Sequence, residues 1–308
     1  MENFLISIVV PFLNEELVLR ETVKRIQSVV HNEGWEYEII FVNDGSRDSS
    51  LAILREEKNK DGNIKIINLS RNFGHQIALT AGLDQARGNP VIVIDADLQD
   101  PPELIPAMVK KWKEGYEIVH ARRRRRFGET IFKKWTAFII YRLIKKISNV
   151  DIPVDVGDFR LIGRKALDSL NKIRERHRYV RGLVAWLGYK QAFVEYHRDK
   201  RYAGKTKYPM IRMLQLVIEG ITSFSILPLR IATIVGIFSS ALSFLYIIYA
   251  LYIRLILKIA VQGWTTVVIA VFFLGGIQLI CLGVIGEYIG IIHEEEKKRP
   301  LYLIDEII

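Results

Sequence analysis

Short apolar runs alternate with longer mixed stretches over the first 121 residues. Residues 6–10, 38–42, 64–68, 91–94 and 117–121 are rich in Val and Ile and bounded by Gly, Asn, Asp and Pro, so they predict strands. Helices are predicted between them at about 16–31, after Asp48-Ser49 (side chains suited to cap it), at 75–86 and at about 102–113. Strands alternating with helices of this length predict an α/β fold, a mostly parallel sheet with helices on both faces. The run Val91-Ile92-Val93-Ile94 has no polar alternation and predicts a strand buried on both faces. It ends at Asp95-Ala96-Asp97. Alternation at a strand end places both carboxylates on one face, at the sheet edge where open α/β sheets bind ligands. An acidic surface turn is the competing reading.

The pattern changes in the last quarter of the chain. No charged residue occurs over 231–253 or over 259–286. Each stretch is long enough to cross about 30 Å of hydrocarbon as a helix. Only residues 254–258 separate them, which predicts a hairpin; two buried core helices are the alternative. The apolar run 4–13 lacks a preceding basic region and reads as a strand rather than a signal peptide. The part before the hairpin is therefore expected in the cytoplasm, and two crossings return the C-terminus to that side. Arg230, Lys297, Lys298 and Arg299 agree with this orientation, whereas Arg254 and Lys258 weigh against it. The expected divisions are a cytoplasmic unit over 1–208, an amphipathic juxtamembrane segment over 209–228, and a hairpin over 229–292. Its crossings fall at about 231–253 and 264–286, and a cytoplasmic tail follows over 293–308.

Charge sharpens the choice of partner. The chain carries a formal +10. Residues 231–308 hold 5 basic and 6 acidic side chains, leaving +11 on the first 230 residues. A basic unit joined to a membrane hairpin points to an anionic partner: a membrane surface, a phosphorylated lipid or a nucleotide. No nucleic-acid-binding motif is present, so nucleic acid is not expected. The single cysteine, Cys281, excludes an intrachain disulfide and a Cys-based zinc site. Five arginines, Arg122 to Arg126, follow the predicted strand at 117–121, either as a membrane-surface patch or with one or two binding phosphate. Apolar residues then recur every three or four positions over 130–147 among lysines and arginines, which suits an interfacial amphipathic helix or an ordinary surface helix. Asp158 and Arg160 form a polar cluster in an otherwise apolar short segment, and 198–208 is a cationic loop with Gly204 at its middle.

No G-x-G-x-x-G follows the first strand and no G-x-x-x-x-G-K-[ST] occurs. A nucleotide here needs another way to hold its diphosphate. A divalent ion shared between Asp carboxylates and phosphate oxygens meets that need, because Mg²⁺ takes few protein carboxylates alongside phosphate oxygens.

Five strings occur in an order that resembles the polyprenyl-phosphate glycosyltransferases, the group similar to dolichol-phosphate mannose synthase within family 2 of the inverting GT-A glycosyltransferases. They are Pro11-Phe12-Leu13-Asn14-Glu15-Glu16, Val42-Asn43-Asp44-Gly45-Ser46, Asp95-Ala96-Asp97-Leu98-Gln99-Asp100-Pro101-Pro102-Glu103, Gly157-Asp158-Phe159-Arg160, and residues 201–208. The resemblance covers essentially the whole chain, and the two apolar spans make it similar to the bacterial GtrB-like branch. It implies a Rossmann-like GT-A domain with interfacial helices and a transmembrane hairpin in the plasma membrane. The reaction implied is transfer of glucose from UDP-glucose to undecaprenyl phosphate. UDP-N-acetylglucosamine, a UDP-aminoarabinose or GDP-mannose remain alternative donors, and a membrane adaptor that binds nucleotide or anionic lipid is the non-enzymatic alternative. The cofactor implied is Mg²⁺ or Mn²⁺, and a homo-oligomer, possibly a tetramer, is the implied assembly.

The resemblance also implies roles. Pro11, Asn14 and Glu16 would line the nucleotide pocket, Asp44 would contact uracil or ribose, and Arg71 and Gly74 would flank it. Asp95, Ala96 and Asp97 would reach sugar, metal and diphosphate, with Gln99 beside the metal. Asp158 would sit near the reacting centre, as a base or as an orienting group. Arg122, Arg201 and Lys207 would hold the acceptor phosphate. The Q-x-x-R-W string of processive synthases is absent, so a polymerising enzyme is not expected.

Overall fold

The computed structural model describes residues 4–124, 153, 156–176, 178–196, 226–256 and 263–308. In chain order the elements are β1 (Leu5–Phe12), α1 (Leu19–Glu33), β2 (Glu36–Asn43), α2 (Ser50–Lys60), β3 (Ile64–Leu69), α3 (His75–Gln85) and β4 (Val91–Val93). A 3₁₀ turn (Pro102–Leu104), α4 (Ile105–Lys113), β5 (Ile118–Arg123), β6 (Val156–Ile162), α5 (Arg164–Lys172), α6 (Val180–Trp186) and β7 (Gln191–Tyr196) follow. Two long helices, α7 (Leu227–Leu255) and α8 (Trp264–Glu296), and a last strand β8 (Ile304–Ile307) complete the described chain.

All eight strands join one sheet in the order β7-β5-β6-β4-β1-β2-β3-β8. The pairs β1–β2, β1–β4, β2–β3 and β5–β7 are parallel, while β4–β6, β5–β6 and β3–β8 are antiparallel. Alternation along β1 explains why helices cover both faces. Ile6, Ile8 and Val10 pack with Leu19, Val23 and Ile26 of α1, whereas Val9 packs with Ala78 and Leu79 of α3 on the other face. Each fully buried Ile or Leu contributes about 1.5–3 kcal/mol relative to exposure, so both clusters anchor the sheet.

Three expectations shift. The helix predicted from about residue 16 starts at Leu19, because the Glu15 and Glu16 amides are bonded by Ser50 Oγ (2.9 Å) and Asp48 Oδ2 (3.3 Å) and hold a turn. Residues 156–162, read as a short segment, form the fully buried strand β6 between β4 and β5. The tail does not simply trail away. β8 pairs with β3, Ile66 and Ile308 exchange backbone hydrogen bonds (2.9 Å each), and Asp305 Oδ2 accepts from Asn68 Nδ2 (3.1 Å).

α7 and α8 are long and apolar enough to cross a membrane, over Leu227–Ile253 and Ile269–Glu296. Their side chains face outward, with Phe272 77 % exposed, as suits helices whose solvent is lipid. The amphipathic stretch at 130–147, the segment at 209–224 and the loop at 198–208 lie outside the described residues.

Candidate active site

Three loops leave the carboxyl ends of the parallel strands β1, β2 and β3 and are tied edge to edge. Asn14 Oδ1 accepts from the Arg47 amide (2.8 Å), and the Asn14 amide donates to Ser46 Oγ (2.9 Å). Glu16 Oε2 accepts from the Ser49 amide (3.0 Å). Asp44, buried below β2, accepts from the Phe73 amide (2.7 Å) and the Gly74 amide (3.1 Å), fixing the third loop. Burial pushes the Asp44 carboxyl above its usual value against those amides. Gly45 sits at φ 75°, and a Cβ there would stand 2.7 Å from the Asn72 nitrogen, so the loops meet only because this residue is glycine. The result is a layer of pinned backbone at the carboxyl edge of the sheet.

The acidic string leaves the same sheet edge, because β4 runs parallel to β1. β4 stops at Val93, so Asp95 and Asp97 share a turn rather than a strand face. Thr22 Oγ1 of α1 donates to the Ala96 carbonyl (2.9 Å), and Asp97 Oδ1 accepts from the Gln99 amide (3.1 Å). Arg25 holds Glu103 through two bonds (2.9 and 2.6 Å) and closes the string. Leu98 has φ 56°, which the turn requires.

β6 brings a further acid, Asp158. Val93 lies opposite Arg160 in the antiparallel β4–β6 pair, and continuing that register sets Asp95 opposite Asp158. Like charges so placed repel. His75, the first residue of α3, lies between them, with Nε2 3.5 Å from Asp95 Oδ1 and 3.4 Å from Asp158 Oδ2. Burial would lower the His75 pKa, but the two carboxylates outweigh it and raise it to about 9. Burial, with the neighbouring acids, lifts Asp95 to about 6.

Asp158 is 5 % exposed and surrounded by donors. Oδ1 accepts from Arg181 Nε (3.0 Å) and Arg160 Nη2 (3.1 Å), and Oδ2 from Arg181 Nη2 (3.2 Å) and Gln76 Nε2 (3.4 Å). Burial alone would raise its pKa, but Arg181, His75 and Arg160 hold it well below the usual carboxylate range. Arg160 is itself fully buried and leans on the Gly157 and Asp158 carbonyls. Its burial lowers the guanidinium to about 10 against the pull of Asp158.

The arginine run is not a uniform solvated patch. Arg122 stacks on Phe193 at 3.7 Å, Arg123 Nε donates to Tyr196 Oη (3.1 Å), and Arg124 Nε donates to Glu195 Oε2 (2.9 Å). Tyr196 donates in turn to the buried Asp100. Arg71 stacks on Phe73 at 4.1 Å beside Gly74. Pro11 lies in β1 opposite Val42. Arg125, Arg126, Arg201 and Lys207 lie outside the described residues.

The structure thus brings together Asp95 and Asp158, with Asp97 on the same turn, and links Asn14, Glu16, Asp44 and Gly74 through their loops. His75, Gln76 and Arg181 are the neighbours that sequence reasoning missed; Arg160 stood out there as part of a polar cluster with no role attached. Among the described residues no group of three or more His, Cys, Asp or Glu side chains forms a cation cage. Asp95 Oδ1 is nevertheless buried with no hydrogen bond, its nearest cation being His75 Nε2 at 3.5 Å, and the carboxylates around it are hard oxygen donors. That set fits a divalent cation that draws its remaining ligands from a phosphorylated substrate.

Comparison with known proteins gives the class. The glycosyl transferase family 2 pattern matches residues 7–170, and the GtrB C-terminal hairpin pattern matches residues 227–292. The chain belongs to glycosyl transferase family 2: it is a glycosyltransferase with the GT-A fold and a GtrB-type hairpin. It is 53% identical over 300 residues to the uncharacterized glycosyltransferase YkcC of Bacillus subtilis, covering 97% of this chain and 93% of that one. It is 41% identical over 302 residues to the prophage bactoprenol glucosyl transferase homolog of Escherichia coli, covering 98% and 99%. The bactoprenol glucosyl transferase of Shigella phage SfV is also 41% identical, over 97% of each chain.

Proposed function

We propose that this protein transfers glucose, with inversion, from UDP-glucose to polyprenyl phosphate at the cytoplasmic face of the plasma membrane. The observation that carries this reading is end-to-end similarity to bactoprenol glucosyl transferases, hairpin included.

The site chemistry supports it. An acceptor phosphate oxygen attacks the anomeric carbon, the bond from that carbon to the diphosphate breaks, and UDP leaves with the electron pair. A phosphomonoester is mostly dianionic at pH 7, so this nucleophile needs no base to remove a proton. It needs cations that bring it to the donor. Arg122, Arg201 and Lys207 take that role. Asn14, Glu16 and Asp44 shape the nucleotide pocket through the loops they tie, Pro11, Arg71 and Gly74 border it, and Asp95 with the Ala96 backbone meets the sugar. Asp97 and Gln99 would hold Mg²⁺ or Mn²⁺, which when bound neutralises the diphosphate leaving group. Asp158 orients Arg181 and His75.

The β8–β3 pairing supports one side for both ends of the hairpin: a strand that follows the second crossing joins the sheet that precedes the first. In our reading the protein works as a homo-oligomer, a tetramer.

The test is a donor panel of UDP-glucose, UDP-N-acetylglucosamine, a UDP-aminoarabinose and GDP-mannose with purified full-length protein and polyprenyl phosphate in vesicles. Glucose transfer is expected, lost on chelation. Asp95→Asn and Asp97→Asn are each expected to lower turnover roughly a hundredfold or more with the fold intact. Near-normal turnover in Asp97→Asn would sink the metal assignment, another preferred donor would replace glucose, and no transfer from any donor would favour the adaptor.

A further inference from the structure

The connection from α5 into the first turn of α6, residues 173–176 and 178–181 of the described chain, touches the active site at one end and the hairpin at the other. At the site end, the Val180 amide donates to Gln76 Oε1 (3.1 Å) and Arg181 forks onto Asp158. Five residues earlier, Arg176 grips the last turn of α8. Its Nε lies 3.0 Å from Glu294 Oε2, and its amide donates to Glu295 Oε1 (2.5 Å). Between them, Arg178 is buried and donates to the Ile173 carbonyl, which makes the connection compact. Arg174 binds both oxygens of Asp84 (2.8 and 2.9 Å) at the far end of α3, and Asp84 also accepts from Tyr302 (2.7 Å), just before β8.

The sequence of α8 makes this contact more than incidental. Glu294, Glu295 and Glu296 occupy the carboxyl end of a helix, where the macrodipole disfavours negative charge. Glu175, on the exposed side of the connection, lies close enough to Glu295 for repulsion to add to partial desolvation in raising its pKa. Neither cost serves the helix. Arg176 and Lys297, the latter 2.6 Å from Glu294, are the cations that offset them.

We propose that residues 173–181 act as a strut through which the seated hairpin positions Arg181 on Asp158, so that Arg176, Glu294 and Glu295 are positioning residues for transfer. A catalytic unit whose hairpin end is not gripped holds Arg181 loosely, and with it the charge balance around Asp95 and His75. The catalytic consequence rests on the transferase reading given above; the mechanical one does not.

The test uses full-length protein in lipid nanodiscs and the double variant Glu294→Ala/Glu295→Ala. Removing these acids relieves the helix end, so α8 is not weakened. Two readouts are taken. Limited trypsin digestion followed by mass spectrometry is expected to show cleavage after both Arg176 and Arg181 rising about tenfold, because cleavage tracks local opening. Cleavage within α2 stays unchanged, reporting a folded domain. Turnover is expected to fall about tenfold in kcat with the donor KM unchanged, since small misplacement at a site costs rate. The charge swap Arg176→Glu/Glu294→Arg leaves Glu295 in place and removes the trypsin site at 176, so it is expected to recover part of the turnover and part of the protection after Arg181. Unchanged cleavage, a rise after Arg176 alone, or unchanged kcat overturns the strut. If the wild type transfers no sugar at all, the transferase reading fails while the cleavage pattern still decides the strut.

Discussion

Replacing Asp158 with Asn separates two accounts of the same carboxylate. As a general base, Asp158 would remove a proton in the rate-limiting step and contribute about 10²–10⁴ in rate, with little bearing on stability. Its surroundings argue for another role. The carboxylate is buried, accepts from Arg160, Arg181 and Gln76, and lies against His75. Its affinity for a proton is held well below normal, chiefly by Arg181 against the effect of burial. Removing one partner of a buried ion pair costs about 3–5 kcal/mol, and Asn still offers one acceptor oxygen, so about 3 kcal/mol is expected. That is a fall in Tm of roughly 6–12 °C for a domain of this size. The assay is thermal unfolding of the full-length protein beside steady-state transfer. Asp158→Asn is expected to lose both stability and turnover. A variant that melts within about 2 °C of wild type yet has lost turnover refutes the anchoring role and restores the base.

Two other perturbations test the scaffold. His120 is buried in β5 beside Gln191 (3.0 Å), and burial, reinforced by Arg160, lowers its pKa to about 3. The folded protein therefore binds fewer protons here than the unfolded chain. The stability from neutral His120 is fully present above the unfolded pKa of about 6.5 and is lost as pH falls toward 3. At pH 5 about 2 kcal/mol of it is gone, so His120→Gln should flatten the pH 7 to 5 stability loss; denaturation curves with equal losses in both proteins would refute this. Gly82 of α3 faces β1 and β2, and a Cβ there would stand 2.3 Å from Val9 Cγ1 and 3.0 Å from Val42 Cγ2. Overpacking of about 1–3 kcal/mol outweighs the helix-propensity gain of about 1 kcal/mol, so Gly82→Ala should lower Tm, and a raised Tm would show that the valines yield.

The parallel half of the sheet is legible in sequence because its strands are apolar runs with polar ends, from Ile6-Ser7-Ile8-Val9-Val10 to Val91-Ile92-Val93-Ile94. The acidic string is legible for the same reason: it follows the plainest strand. β6 is not. Gly157, Asp158 and Arg160 have poor strand propensity, and the buried strand they form is stabilised by pairing on both sides and by ion pairs formed only in the fold. β8 is four residues long, two of them acidic, at an edge where short charged strands resist further pairing. His75 has no partner at metal-ligand spacing, and its significance depends on Asp95 and Asp158 meeting across β4 and β6. Gly74 ahead of a helix start is the one local signal that would have placed His75 at the sheet edge.

The insertion of β6 also explains why a cluster so rich in charge is tolerated. β6 enters the sheet between β4 and β5 beside Asp95, where a parallel neighbour could have stood. The antiparallel strand instead carries a second carboxylate to the position opposite, together with an arginine buried two residues away. Two acids alone would be unfavourable there. His75 from α3 and Arg181 from α6 restore the balance, and each comes from a helix on the same face of the sheet. The acids are thus matched by cations from two helices. In the transfer proposed above, between two phosphorylated partners, charge is redistributed and no proton need be removed. A saturated carboxylate held by three cationic side chains is suited to the first task and not to the second.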